Sequence, residues 1–102
     1  MSVLLEYAMF PTDKGTSVSK YVSKIIAMVR ESGFAYKLTA MGTIVETNTM
    51  PEALKIVEKS YEILEPDSER VYSTLTFDIQ KNKNNRLISK VQSIEDKIGK
   101  VN

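Results

Sequence analysis

Two carboxylates in this chain sit where carboxylates are unusual. Glu46 ends the run Met41-Gly42-Thr43-Ile44-Val45-Glu46, and Glu6 interrupts the apolar opening Val3-Leu4-Leu5-Glu6-Tyr7. If both runs are strands, each Glu is either an exposed-face residue or a group that needs a polar partner. On neighbouring strands the pair can bind a cation or an amine, or accept hydrogen bonds from an amino-heterocycle. Equally, each can pair with a Lys, an Arg or an exposed Thr. Burying two like charges together would push one pKa up. A second group is Gly15-Thr16-Ser17-Val18-Ser19, which opens a helical pattern. Free N–H groups and hydroxyls there can hold an anion or a ligand carbonyl, or simply cap the helix. A third is Tyr72, Thr74, Thr76 and Asp78, alternate positions of one strand. They suit the polar wall of a pocket, a solvated sheet surface or a subunit interface.

Composition removes most other chemistry. The chain has no Cys and no His. Disulfides, thiol catalysis, Cys-based zinc sites, Ser-His triads and imidazole acid–base chemistry go with them. The remaining acid–base groups are carboxylates, lysines and tyrosines, and no spacing among them demands catalysis. Net charge is +1 and the basic residues are dispersed, so no nucleic-acid footprint is expected. An RNA-binding sheet would need aromatics flanked by basic residues, and Glu6 and Glu46 would repel phosphate there. No Walker pattern or G-x-G-x-x-G occurs, and no metal site or cofactor is expected. No apolar run approaches the ~20 residues of a membrane span. The start lacks a basic n-region, so a cytoplasmic protein is expected. At 102 residues, 42% hydrophobic and 26% charged, residues 1–102 read as one ordinary globular domain.

The elements that must position these groups follow from periodicity. Ser2 to Phe10 alternates as a strand with Val3, Leu5, Tyr7 and Met9 on one face and Leu4, Glu6, Ala8 and Phe10 on the other. Both faces are largely apolar, which suits a central strand, with a partner subunit covering the side that lacks helices. After a Pro11–Gly15 turn, Thr16 or Ser17 caps a helix to about Ser32, its stripe being Val18, Tyr21, Val22, Ile25, Met28 and Val29, with Gly33 as the stop. Tyr36–Ala40 and Thr43–Thr47 form a hairpin around Met41-Gly42. Thr49-Met50-Pro51-Glu52 is a capping box for a second helix to about Leu64, with Leu54, Val57, Tyr61 and Leu64 as its buried stripe. Glu65–Glu69 is a loop. Arg70–Gln80 is the clearest strand, with Val71, Ser73, Leu75, Phe77 and Ile79 meeting the helices. A polar turn, Lys81–Asn85, leads to a last helix whose narrow stripe is Leu87, Val91, Ile94, Ile98 and Val101. The order βαββαβ plus a helix is the split βαβ pattern: an α+β, ferredoxin-like sandwich with an extra C-terminal helix. Right-handed crossovers then put the first and third strands in the middle, with Glu6 and Glu46 on adjacent strands.

Three segments together resemble one family. They are Pro11-x-x-x-Gly15-Thr16-Ser17-Val18-Ser19-x-Tyr21-Val22, then Ser32-Gly33-x-x-Tyr36-x-Leu38, then Met41-Gly42-Thr43-x-x-Glu46, with the strand from Arg70-Val71 fitting as well. In order and spacing, over nearly the whole chain, this is similar to the YkoF-like family of small thiamine-binding proteins. The resemblance implies a ferredoxin-like domain that assembles into homo-dimers and often homo-tetramers. It also implies binding of thiamine or its hydroxymethylpyrimidine part, and no enzymatic activity. Position by position, it implies Thr43 and Glu46 as ligand-facing residues, then Thr16, Ser17 and Ser19; strand adjacency adds Glu6 and Tyr7. The chain departs from the pattern at Thr47-Asn48, where relatives often carry Gly and an acidic residue, and at Gln80-Lys81, where they often carry Arg. Two other readings stand beside this one. In the first, the chain is an oligomeric interaction or scaffold module in which Glu46 is a structural partner of a Lys or Arg. In the second, it is a carboxylate-dependent enzyme acting on a small metabolite.

Overall fold

The first strand earns its central place by alternation. In β1 (Ser2–Pro11), Val3, Leu5, Tyr7 and Met9 are buried under helices, while Leu4, Glu6, Ala8 and Phe10 on the other side are partly or fully exposed. The structure is a computed structural model that describes residues 1–102. The chain continues as α1 (Ser19–Glu31), β2 (Ala35–Leu38), β3 (Thr43–Thr47), α2 (Met50–Leu64), a short 3-10 turn (Glu65–Asp67), β4 (Val71–Gln80) and α3 (Arg86–Ile98). The strands form one antiparallel sheet in the order β2-β3-β1-β4. This is the expected ferredoxin-like arrangement, with the first and third strands central.

On one face α1 and α2 pack over β1, β2 and β3, around Leu5, Tyr7, Met9, Ile25, Val29, Val45, Ile56 and Leu64. The Tyr7 hydroxyl reaches Ser60 Oγ of α2 at 2.9 Å; burial pushes its pKa up, and the Ser60 hydrogen bond opposes that only in part. The capping box of α2 forms as the sequence predicts: Thr49 Oγ1 accepts from the Glu52 N–H, and Glu52 accepts from the Thr49 N–H. Gly33 ends α1 with φ 84°.

Several details differ from expectation. α1 starts at Ser19 without a side-chain cap: the Val18 carbonyl takes the first helical bonds, leaving Thr16 and Ser17 exposed upstream. The second strand ends at Leu38 because the Thr39 hydroxyl turns the chain, donating to the Gly42 carbonyl and accepting from the Met41 and Gly42 N–H groups. The buried stripe of α2 is Ala53, Ile56, Ser60 and Leu64, so Leu54 and Tyr61 are exposed. Rotation of the helix that brings Ser60 to Tyr7 turns those two residues outward. Of the β4 residues expected to meet the helices, Val71 and Phe77 pack against the core, whereas Leu75 and Ile79 are exposed, since α1 and α2 lie mainly over the other three strands. Finally, α3 lies across the opposite face over β1, β2 and β3, and its stripe is poorly covered: Leu87 is half-buried, whereas Val91, Ile94, Ile98 and Val101 are exposed.

Candidate functional site

The register decides which face each carboxylate occupies. Glu46 stands between Ala35 and Leu4, and Leu4 faces Asp78 on its other side; two pairs along, Ile44 stands between Lys37 and Glu6. Directly opposed residues of antiparallel strands share a face. Glu6, Glu46 and Asp78 therefore lie together on the face away from α1 and α2. Glu6 and Glu46 are diagonal neighbours, a relation that typically separates Cβ atoms by about 7–8 Å. The register thus settles what adjacency alone left open, and Glu6 is exposed to solvent.

Glu46 does a definite job here. Asn85 adopts a left-handed conformation (φ 54°) that swings the chain into α3, and no side chain of that helix caps its own start. Glu46 supplies the cap from the sheet. Its Oε2 accepts the Arg86 N–H at 2.9 Å and its Oε1 accepts the Leu87 N–H at 3.0 Å, while the Ser2 hydroxyl donates to Oε2. Burial alone would push this carboxyl up. The Ser2 hydroxyl, the two N–H groups and the Arg86 charge outweigh it and hold Glu46 below the usual carboxylate range. Glu46 is therefore an ionised acceptor at neutral pH.

Arg86 completes the anchor. It is buried to 2% exposure, with Nη1 3.0 Å from Asp78 Oδ1, Nε donating to Ser2 Oγ at 3.1 Å, and Nη2 donating to the carbonyls of Ser2 and Asp78. The Arg86 hydrogen bond, aided by Lys90, holds the Asp78 carboxyl below its ordinary value. Sequence reasoning missed both Ser2 and Arg86. One signal was present for Arg86: a cation in the first turn of a helix works against the helix dipole, so it needs a partner elsewhere.

The other candidates fall elsewhere. Thr43 and Tyr7 face each other in the β1–β3 register, but both are buried on the helix-covered face, pointing away from Glu46. The three-residue step from Thr43 to Glu46 puts them on opposite sides of β3. Thr16, Ser17 and Ser19 are exposed before and at the start of α1, beyond the Pro11 end of β1, whereas Glu46 pairs near its Ser2 end. The candidates thus form separate groups: Glu6 with Glu46, Tyr7 with Thr43, and the hydroxyls of the loop into α1.

Two adjoining depressions flank the anchor. A polar hollow of about 450 Å³ is bounded by Glu46, Asn48, Asn84 and Asn85, and shares Phe34 and Ala35 with the next one. That neighbour is a trough of about 680 Å³ between β2 and α3, with Ala35, Ile44, Leu87 and Val91 as apolar walls and Lys37, Gln92 and Glu95 as polar ones. Both volumes fall within the usual size range for small-molecule sites, roughly 300–1,000 Å³.

A family model described as thiamine-binding protein matches residues 5–95, almost the whole chain. The chain belongs to the thiamine-binding protein family. Membership gives it a thiamine-related role. Relatives in this family include the UPF0045 protein of Methanothermobacter thermautotrophicus, 32% identical over 84 residues, covering 81% of this chain and 85% of that protein. The UPF0045 protein MJ1052 of Methanocaldococcus jannaschii is 35% identical over 92 residues, covering 90% and 91%. The crystal structure of MJ1052 superposes with a TM-score of 0.82, covering 93% of this chain and 97% of that one. The fold is also shared with TM0486 of Thermotoga maritima, at a TM-score of 0.74 and 18% identity, covering 88% and 98%. The α+β architecture read from the sequence is thus that of its relatives.

Proposed function

We propose that the chain is a non-enzymatic, cytoplasmic binding protein for thiamine or its hydroxymethylpyrimidine moiety, acting as a homo-oligomer. The observation that carries this reading is the thiamine-binding family match over residues 5–95. The description of the fold neighbour TM0486 as a proposed thiamine biosynthesis/salvage protein points the same way. The paired depressions support it physically. An aminopyrimidine offers an amine donor and ring-nitrogen acceptors, which suit a carboxylate beside Asn amides. A thiazolium cation suits a carboxylate, here Glu95 along the trough. A carboxylate has about four acceptor positions. Those of Glu46 receive Ser2, Arg86 and Leu87, which leaves room for one ligand donor at Oε1. The low pKa of Glu46 supports a binding role over general acid–base work, which favours a pKa near the working pH.

Titration calorimetry with thiamine and with hydroxymethylpyrimidine tests the proposal. Saturable binding is expected, together with thermal stabilisation of roughly 2.7 kcal/mol at about 100 times the dissociation constant. Glu46→Gln should weaken both. Neither heat nor stabilisation at millimolar concentrations of either compound would overturn it. One observation favours the scaffold reading as runner-up: Glu46 already has partners within the chain, as the cap of α3. Under that reading Glu46→Gln lowers stability, and neither compound binds the wild type.

A further inference from the structure

Basic residues are dispersed over the chain as a whole, but not in the segment that enters α3. From Ile79 to Ile94 the chain carries Lys81, Lys83, Arg86 and Lys90 and no carboxylate. A helix start favours acidic residues, yet the first turn of α3 has none and begins with Arg86. Positive charge is thus gathered where the helix dipole already adds to it. The fold shapes this segment into a cleft of about 480 Å³, lined by Gln80, Lys83, Arg86, Ser89, Lys90 and Ser93. No apolar and no acidic side chain lines it. Arg86, Ser89, Lys90 and Ser93 follow the i, i+3, i+4, i+7 rule, so one side of α3 supplies four of the lining residues. Lys83 comes from the turn before the helix and Gln80 from the end of β4. The cleft is distinct from the hollow at Glu46, which takes Asn84 and Asn85 from the same turn.

Most of the donors in this cleft are unspent. Lys83 belongs to none of the ion pairs of the chain. The Gln80 amide and the hydroxyls of Ser89 and Ser93 are exposed and have no hydrogen-bond partner within the chain. Arg86 differs, because it is buried. A guanidinium has five N–H donors. Four of those of Arg86 are taken: Nε by Ser2 Oγ, Nη1 by Asp78, and Nη2 by the carbonyls of Ser2 and Asp78. It therefore stands in the cleft as a fixed charge with one N–H left over. Asp78 contacts both Arg86 and Lys90, at 3.0 and 3.4 Å, and so offsets one of the three cations. Glu46 is occupied by the Ser2 hydroxyl and the first N–H groups of α3.

We propose that this cleft binds a phosphate-type dianion, free or as the terminal group of a small metabolite. Three cations less the one that Asp78 offsets leave a charge that a dianion matches. Ammonium, guanidinium, hydroxyl and amide donors converging from a strand end, a turn and a helix suit the several acceptor oxygens of a phosphoryl group. The charge lies around one cleft rather than along a stripe, which favours a small anion over a nucleic-acid backbone. The inference does not rest on the thiamine reading. Thiamine is a cation without phosphate, and the contacts suggested for it lie at the Glu46 hollow and the trough.

Titration of the full chain with inorganic phosphate, at an ionic strength held constant with sodium chloride, tests it. Phosphorus NMR should show saturable line broadening, and Tm should rise by more than chloride alone produces. Lys83 and Ser89 are exposed, so Lys83→Gln and Ser89→Ala should fold as the wild type does. Both should weaken phosphate binding, Lys83→Gln by roughly tenfold. Lys81 belongs to the same basic segment but does not line the cleft, so Lys81→Gln should leave binding unchanged. Glycerol phosphate separates the two sources: competition with inorganic phosphate supports a terminal phosphoryl group, and its failure to compete supports free phosphate. Equal effects of phosphate and chloride would overturn the inference. So would equal losses in Lys81→Gln and Lys83→Gln, or an oligonucleotide that binds through these lysines where phosphate does not. A protein that fails to bind thiamine would leave each of these results as it stands.

Discussion

Replacing Glu46 by Gln should cost the protein about 2 kcal/mol at neutral pH, and the reason lies in one carboxylate holding three donors. Hydrogen bonds to a charged group are worth about 1.5–3 kcal/mol each, against about 0.5–1.5 for neutral ones. Gln keeps one acceptor oxygen, but its amide presents a donor to an N–H or hydroxyl that is itself a donor. Of the Arg86 N–H, the Leu87 N–H and the Ser2 hydroxyl, at least one is then left unpaired. The favourable interaction of a negative charge with the start of α3, roughly 0.3–1 kcal/mol, goes too. Partial exposure of Glu46 keeps the total near the low end of these sums. For a chain of this size that is a fall of roughly 10 °C in Tm, read by calorimetry. The loss should carry a pH signature. The folded-state pKa of Glu46 is depressed, so its contribution is present above the unfolded value of about 4.3 and disappears as pH falls through the lower folded value. The gap between wild type and variant should be full at pH 7 and should narrow towards pH 3. An unchanged Tm at pH 7, or a gap of constant size into acid, would refute the assignment of Glu46 as the charged cap of α3.

Two further substitutions probe its surroundings. Arg86→Met should cost about 3 kcal/mol in denaturant unfolding, because it removes the hydrogen bonds to the Ser2 and Asp78 carbonyls and breaks a pair whose guanidinium is buried. Carboxyl titration by NMR should then show the Asp78 pKa rising towards its ordinary value, since Arg86 is the main cause of its depression. Gly42→Ala should cost about 1–2 kcal/mol, because a Cβ there would stand 3.0 Å from the Tyr7 carbonyl oxygen and force β3 away from β1; a Tm within a degree of wild type would show that the strands can yield.

Most of the architecture was legible because it rests on local rules. Period-two alternation in Ser2–Phe10, the Thr49–Glu52 box and Gly33 each announce one element, and all behave as read. What could not be read depends on how elements meet. The stripe of α2 slips by one position because Ser60 must reach Tyr7, a contact between residues far apart in sequence. Leu75 and Ile79 alternate like core residues, yet α1 and α2 pack mainly over the other three strands, and nothing within β4 encodes that. At the site, the sequence placed Glu6 and Glu46 on adjacent strands, but only the register puts them on one face, since a slip of one residue would reverse it. The partner of Glu46 was hidden because it is backbone: the first N–H groups of α3, which no side-chain motif announces. Arg86 was hidden because the residues that receive it, Ser2 and Asp78, become neighbours only through the β1–β4 register.

The segment Gly42-Thr43-x-x-Glu46 can now be understood as a unit that works on both faces of the sheet. Gly42 lets β3 begin hard against the Tyr7 carbonyl. Thr43 then turns into the helix-covered face, and three residues later Glu46 emerges on the other face to fix the start of α3. Because α3 is one wall of the trough and Glu46 one rim of the hollow beside it, the same carboxylate that anchors the helix also shapes the space next to it. Any change at Glu46 therefore acts twice: on the stability of α3, and on the dimensions of the depression beneath it. This is why stability and ligand response must be measured together on the Glu46→Gln protein. A loss of ligand response in a variant whose α3 amides stay protected would assign the carboxylate a direct contact. A loss that tracks helix release would assign it the wall.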